Sequence, residues 1–339
     1  MKRGIAVIGS GSWGTALARL LCNNGWPVFL WGRIEDGIQD IGKYRVNQRF
    51  LPGVPLPEGI KITSDEAEAV EKAETVVFVV PSQSLREVVR RFKPHIAPGK
   101  VLVSAVKGIE NKTHLRMSQV IEEELGAGFA GKTAVLSGPS HAEEVARDIP
   151  TAVVSASADA GLASLVQEIF MTSRFRVYTN QDLVGVELGG ALKNVIALSA
   201  GISDGLGYGD NTRAALITRG ISEIRRLGIA MGANPDTFSG LSGLGDLVVT
   251  CNSMHSRNRR AGIMLGQGMK LPEVLAAVGM VVEGVDTSLA ADELARRMGV
   301  EMPITHQICE VLFEGLTPRE AVDRLMLRLR THEIEQIND

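Results

Sequence analysis

GIAVIGSGSWGTALARLL, residues 4–21, decides how the rest of the chain is read. IAVIG (5–9) is short, rich in β-branched residues and stops at a glycine, the pattern of a buried strand. From Thr15 onward apolar residues recur at helical spacing. Between the two, Gly9, Gly11 and Gly14 fit G-x-G-x-x-G in the strand–turn–helix context that gives this pattern its meaning. Gly9 permits a tight turn, Gly11 lets a pyrophosphate approach the backbone, and Gly14 lets the helix pack closely on the strand. Ser12 and Trp13 occupy the loop tip, where their N–H groups face a ligand at the positive end of the helix. The loop is read as a dinucleotide site.

Downstream, VFLWG (28–32), TVVFVV (75–80), KVLVSAV (100–106) and TAVLSG (133–138) are apolar throughout, as strands of a helix-covered parallel sheet are. Strands alternating with helical patterns predict an α/β fold, a Rossmann-like doubly wound sheet domain over residues 1–178. Past about Asn180 the strand signals fade. Segments 187–206, 214–232 and 287–299 carry helical spacing, and Pro235, Pro272, Pro303 and Pro318 stand where helices begin. Thr317, Pro318 and Glu320 read as cap, first helical residue and capping-box partner. A mostly α-helical domain is therefore expected over 179–339. The junction has no Pro/Gly/Ser linker, so the two units should be in tight contact.

Composition narrows the function. The chain has 339 residues, 45% hydrophobic and 22% charged, enough for about two globular domains. Its 36 basic and 39 acidic side chains give a net charge of -3, which does not suggest nucleic acid or an anionic membrane as partner. Cys22, Cys251 and Cys309 are sparse and odd in number and lack zinc-type spacing, which points to a reducing cytoplasm and no metal site. MKRGIAVIG has only about five apolar residues after its basic pair, so it is read as a strand rather than a leader. No apolar run approaches the ~20 residues of a membrane span, so no stable membrane insertion is expected.

Several polar residues fall where chemistry is placed in such folds. Arg33, after the second strand, stands where NAD sites usually carry Asp or Glu; an Arg there suits a 2′-phosphate and hence NADP(H), with NAD(H) as the alternative, although Glu35 and Asp36 lie close by. Lys107 follows a strand in SAVKGIE and is either a ligand-edge cation or a surface lysine. In SGPSHAEEV, Gly138 turns the chain and Ser140 either caps the next helix or helps form an anion nest. Lys193 sits among small apolar residues in ELGGALKNV; on a helix facing a domain contact it is either desolvated and suited to proton transfer or a snorkelling lysine whose head reaches water. Asp246, in GLGDLVVTC, either orients Lys193 or caps a helix, and Thr250 shares its helical face. SRNRR, with Ser256, Arg257 and Asn258, is a dense basic cluster that suits a small phosphorylated substrate. Glu283 precedes a helical stretch.

GSGSWGTALA, VPSQSLREV, KGIE, SGPSHAEEV, GALKNVIALSAGISDG, GLGDLVVTC, SRNRR, LGQG and VVEG, in this order, resemble the bacterial-type NAD(P)-dependent glycerol-3-phosphate dehydrogenases from about residue 4 to 325. The resemblance implies reversible reduction of dihydroxyacetone phosphate to sn-glycerol 3-phosphate, supplying glycerophospholipid synthesis, by a cytoplasmic homodimer. It implies Lys193 as proton donor or acceptor. Lys107, Gly138, Ser140, Asp246, Ser256, Arg257 and Asn258 are implied as substrate contacts. Ser12, Trp13, Arg33, Lys107, Ala142, Arg257, Val281 and Glu283 are implied as contacts to NADPH. Two other readings compete: a β-hydroxyacid dehydrogenase, which shares the glycine loop and an interdomain lysine, and a non-catalytic NADP-binding sensor. Paired Lys107 and Lys193 with Asp246 argue against the sensor.

Overall fold

A computed structural model describes residues 3–330 and 332–333. The outermost residues of the two expected domains (1–2, 331 and 334–339) lie outside the described residues. The strands are β1 (Gly4–Ile8), β2 (Val28–Trp31), β3 (Val46–Asn47), β4 (Leu51–Pro55), β5 (Ile60–Thr63), β6 (Ala73–Phe78), β7 (Val101–Ser104), β8 (Thr133–Ser137), β9 (Thr151–Ala156) and β10 (Phe175–Asn180). Eight of them form one sheet in the order β10-β9-β8-β7-β6-β1-β2-β5, and β3 and β4 form a separate hairpin.

All five strands expected from sequence are present, and every pairing among them is parallel. β5, β9, β10 and the hairpin were not anticipated. Sequence also gave no sign that β8 and β9 run antiparallel, because apolar strands look alike in either sense. Both faces of the central strands are buried. Ile5 and Val7 join one apolar cluster with Leu17, Leu21 and Leu30, while Ala6 and Ile8 join another with Val76, Phe78 and Phe92. This is why these strands read as unbroken apolar runs. The chain winds outward from β1 to β2 and β5, then returns to β6 on the other side of β1. That reversal opens a crevice at the carboxyl ends of β1 and β6, the usual ligand position in open α/β sheets.

The expected division at 178/179 falls inside β10, whose last residue is Asn180. From Leu183 the structure is helical. The helix Leu183–Gly205 forms the axis, with Asp210–Ala230, Arg257–Gly266 and Glu283–Met298 packed around it. Contact with Arg257–Gly266 is very close: a Cβ at Gly201 would overlap the Arg259 carbonyl, and one at Gly262 the Leu198 carbonyl. Contrary to the reading that no stretch is long and apolar enough, Leu183–Gly205 meets the length and hydropathy of a membrane span. Its most apolar 18-residue window is 89% buried inside the protein, the place of a core helix. The stretch escaped notice because Glu187, Lys193 and Asn194 interrupt it. The capping box at Thr317, Pro318 and Glu320 forms as read, opening the helix Pro318–Met326.

Polar ties link the sheet to the helices. Glu187 on the axial helix accepts from the Ser118 backbone N–H (2.8 Å) and hydroxyl (2.6 Å) and pairs with Arg116. Glu293 pairs with His114 at 2.8 Å. Tight contact between the two parts follows from these buried and half-buried pairs.

Candidate active site

Loops leaving the carboxyl ends of β1, β2, β6, β7 and β8 line one side of a cavity of about 720 Å³, and the helical part lines the other. Lys107, after β7, and Arg33, after β2, are three strand steps apart, about 14 Å at the ordinary strand spacing. The cavity therefore has a β2 end and a β7–β8 end.

At the β2 end the glycine loop has the form its spacing requires. Gly9 has φ +124°, and a Cβ there would overlap the Val79 carbonyl. A Cβ at Gly14 would overlap the Gly9 carbonyl, so the helix Ser12–Asn23 starts as close to the strand as backbone permits. No atom lies within 4 Å of where a Gly11 Cβ would be, which leaves its backbone approachable. The helix has no side-chain cap, leaving its first N–H groups available, and Trp13 Nε1 is buried without a partner. These features fit a dinucleotide pyrophosphate: a backbone cradle, free donors and the positive end of a helix dipole. Arg33 lines the cavity here, with its Nε 2.7 Å from Asp36.

At the β7–β8 end two buried charges, Lys193 and Asp246, meet the part-buried Lys107. Gly189 and Gly190 on the axial helix make the approach possible. A Cβ at Gly189 would overlap the carbonyl of Ser242, in the π-helical turn Leu241–Gly245, and one at Gly190 would press on Ser137 at the end of β8. Lys193 lies one helical turn beyond Gly189, on the same face, so the π-turn delivers Asp246 to it. Asp246 is 1% exposed; its Oδ1 pairs with Lys193 Nζ and its Oδ2 accepts from Lys107 Nζ at 2.7 Å. Lys193 Nζ also donates to Thr250 Oγ1 (2.9 Å), and Lys107 Nζ to the Gly138 carbonyl (2.9 Å).

Burial pushes the Lys193 ammonium down to about 7; Asp246 pulls it back up and Lys107 presses it further down. Burial alone would raise the Asp246 carboxyl, but Lys107 and Lys193 outweigh it and hold it below the ordinary value. An amine poised near neutrality gives or takes a proton with equal ease. Each ammonium has three N–H donors and commits two to the protein, leaving one for a ligand oxygen.

Of the residues expected at the site, Ser12, Trp13, Lys107, Ser140, Ala142, Lys193, Ser256, Asn258 and Val281 line the cavity with Gly9 and Gly11. Arg257 lines it too, and burial holds its guanidinium below its ordinary value. Gly14, Gly138 and Asp246 stand behind the wall, supporting residues that form it. Ser140 does not cap the following helix. Its hydroxyl donates to the Gly138 carbonyl at 2.9 Å, and His141 takes the cap position.

The basic cluster is divided by its own helix. Arg257 faces the cavity, whereas Arg259 forks onto Asp204 at 2.7 and 3.0 Å. Ser256 caps this helix, and Asn258 Oδ1 accepts from the Gly284 N–H. Glu283 accepts from the Ser82 N–H (3.0 Å) and hydroxyl, tying the helical part to the loop after β6. Burial raises its carboxyl, and the two Ser82 donors oppose that.

Sequence reasoning missed several neighbours. His141 and His255 line the cavity with ring centroids 5.8 Å apart, and burial pushes His141 down to about 4. Asn194 Oδ1 holds Asn258 Nδ2 at 3.0 Å. Arg49 stands beside Arg33 and Asp36, which are close to each other in sequence. His141 lay inside the quoted SGPSHAEEV, but scattered histidines gave no spacing signal. Among the described residues no group of three His, Cys, Asp or Glu side chains is placed to hold a metal ion. Cys251 is a buried core thiol, and burial raises it to about 12.

Comparison with known proteins points to one family. The family described as NAD-dependent glycerol-3-phosphate dehydrogenase matches with its N-terminal part over residues 4–163 and its C-terminal part over 182–323. A glycerol-3-phosphate dehydrogenase (NAD(P)+) of Pelotomaculum thermopropionicum is 57% identical across 99% of this chain and 97% of that protein. The enzyme of the same name from Geobacillus kaustophilus is 54% identical across 99% and 97%. A crystal structure of glycerol-3-phosphate dehydrogenase from Coxiella burnetii superposes with a TM-score of 0.92 at 42% identity, covering 96% of this chain and 99% of that one. The Saccharomyces cerevisiae enzyme superposes with a TM-score of 0.79 at 27% identity, covering 95% and 99%.

Proposed function

This chain belongs to the NAD-dependent glycerol-3-phosphate dehydrogenase family, and from that premise we propose how its cavity works. The protein is an NAD(P)-dependent oxidoreductase that interconverts dihydroxyacetone phosphate and sn-glycerol 3-phosphate. The family match sets aside the β-hydroxyacid dehydrogenase and sensor readings. We divide the chain near 178/179 into a dinucleotide-binding unit and a helical catalytic unit. The helix-only character past Leu183 supports that division.

The dinucleotide is held by the glycine loop, with Ser12 and Trp13 at its phosphates and Arg33 at its ribose; Ala142, Val281 and Glu283 complete its wall. When bound, its nicotinamide supplies hydride to the ketone carbon of the substrate. Lys193, as ammonium, gives a proton to the carbonyl oxygen as that oxygen takes up the electron pair of the C=O bond. In the oxidative direction the neutral amine takes the proton back. Lys107 adds positive potential beside the oxygen and favours the neutral form of Lys193 once the proton has left. Asp246 aims both ammonium groups. Arg257, with Ser256 and Asn258, holds the substrate phosphate; Ser140 and the Gly138 turn close the other side. Holding the phosphate fixes the carbonyl against Lys193, the positioning share of catalysis.

The observation that carries this reading is the Lys193–Asp246–Lys107 cluster, whose two lysines line the same cavity as the glycine loop and Arg257. Oxidation of NADPH on adding dihydroxyacetone phosphate, with no reduction of NADP+ on adding 3-hydroxyisobutyrate or phosphogluconate, is the expected result. No reaction with dihydroxyacetone phosphate sinks the reading. We also place the enzyme in the cytoplasm as a homodimer supplying glycerophospholipid synthesis. The three free thiols support the compartment. Sedimentation tests the dimer.

A further inference from the structure

We propose that Asp36 and Arg49 set the choice between NADPH and NADH. Arg49 is a second ligand for a 2′-phosphate beside Arg33, and Asp36 is the opposing acceptor that keeps NADH usable. This rests on the dinucleotide reading of the cavity and goes beyond it.

The position is fixed by the sheet. The turn after β2 lies against the glycine loop: a Cβ at Gly32 would overlap Ser10 Oγ, and the Gly9 N–H donates to the Trp31 carbonyl at 3.0 Å. Residues leaving β2 therefore flank the adenosine ribose of a dinucleotide on that loop. The single 3-10 turn Ile34–Asp36, closed by Gly37 at φ +82°, folds Asp36 back under Arg33. Asp36 Oδ2 accepts from Arg33 Nε at 2.7 Å.

Arg49 comes from a different part of the chain, the tip of the β3–β4 hairpin, and that tip is anchored. Asn47 is 1% exposed; its Nδ2 donates to the Ser10 carbonyl and to Thr15 Oγ1, both at 2.8 Å, and its Oδ1 accepts from the Phe50 N–H at 3.1 Å. The hairpin is thus bolted to the glycine loop itself. Arg49 Nη1 donates to the Glu35 carbonyl at 3.2 Å and stands 3.7 Å from Asp36 Oδ1, and its guanidinium lies 4.8 Å from the Phe50 ring centre. Arg33, Asp36 and Arg49 all line the cavity.

One carboxylate between two guanidiniums offers both kinds of contact. A ribose 2′-hydroxyl donates to the carboxylate. A 2′-phosphate takes charge-assisted bonds from both guanidinium forks and is repelled by the carboxylate. The balance between these two sets the cofactor preference.

The test is direct titration of NADPH and NADH by nucleotide fluorescence, without substrate, on folded protein checked by thermal unfolding. Asp36→Asn should raise the ratio of the NADH to the NADPH dissociation constant by about tenfold. Arg49→Gln should lower it by about tenfold, and Arg49→Lys, which keeps the charge and loses the fork, by less. Ratios within about twofold of wild type in both Asp36→Asn and Arg49→Gln overturn the inference and leave a surface ion-pair cluster. Wild-type protein that binds neither nucleotide overturns the dinucleotide reading instead.

Discussion

The two ends of the cavity are built by different means. At the β2 end the ligand surface is backbone: a left-handed glycine, an uncapped helix start and two strand-end loops packed as closely as atoms allow. Its charged groups, Arg33, Asp36 and Arg49, are half-exposed or more open, apart from the more covered Asp36. At the β7–β8 end the ligand surface is buried and part-buried charge, two ammonium groups on one carboxylate, brought from positions 107, 193 and 246. The first end binds by shape and dipole. The second buries an amine, and that burial, with Asp246 and Lys107 acting in opposite directions, brings Lys193 down to about 7. Binding and chemistry should therefore come apart under mutation.

Lys193→Ala tests that separation most severely. Turnover should fall by ~10²-fold or more, with the NADPH dissociation constant unchanged, because the lysine belongs to the second end alone. Steady-state rates together with nucleotide titration check both halves. Near-normal turnover would remove Lys193 from the proton transfer.

Asp246→Asn comes next. It leaves two ammonium groups on a neutral amide, so turnover should drop between about tenfold and a hundredfold, with a loss of a few kcal/mol in stability. The pH dependence carries the sign. On the proposed mechanism reduction needs the ammonium form of Lys193, so its rate should fall as pH rises through about 7, and oxidation needs the amine, so its rate should rise there. Asp246 raises the Lys193 pKa, so its removal moves both limbs to lower pH. A pH profile shifted upward would contradict this electrostatic account.

Gly14→Ala addresses the first end. The new methyl group meets the Gly9 carbonyl, so loop and helix must separate. Nucleotide affinity should weaken by about tenfold, and the Lys193 pH limb should stay in place. A moved limb would mean the two ends are mechanically coupled.

The same contrast explains what sequence reveals. The first end was legible because its signal is local: three glycines within six residues, between a strand and a helix. Arg33 was found by counting from that loop. Arg49 was not, because the hairpin that brings it back is tied by a buried Asn47 whose Nδ2 partners lie more than thirty residues away. The second end has no local spacing. Lys107 and Asp246 are joined across 139 positions, and only the resemblance to a family singled them out together. SRNRR looked like one basic surface, yet helical rotation sends Arg257 to the cavity and Arg259 to Asp204. Gly189 and Gly190 passed as ordinary small residues, although they are the reason the charges can meet.

Thr250 offers the finest test of the second end. Its hydroxyl donates to the Asp246 backbone carbonyl at 2.6 Å, so the hydrogen is committed and a lone pair is left for Lys193 Nζ at 2.9 Å. Thr250→Val keeps the shape and removes that acceptor. The ammonium form of Lys193 then loses one of its two protein partners and becomes less favoured. Reductive turnover near neutral pH should fall by about threefold, as expected for one modest hydrogen bond, and its alkaline limb should move to lower pH. Thr250→Ser restores the acceptor and should restore both the rate and the limb. If valine changes the rate but leaves the pH profile fixed, Thr250 acts through packing, and the proton is governed by Asp246 and Lys107 alone.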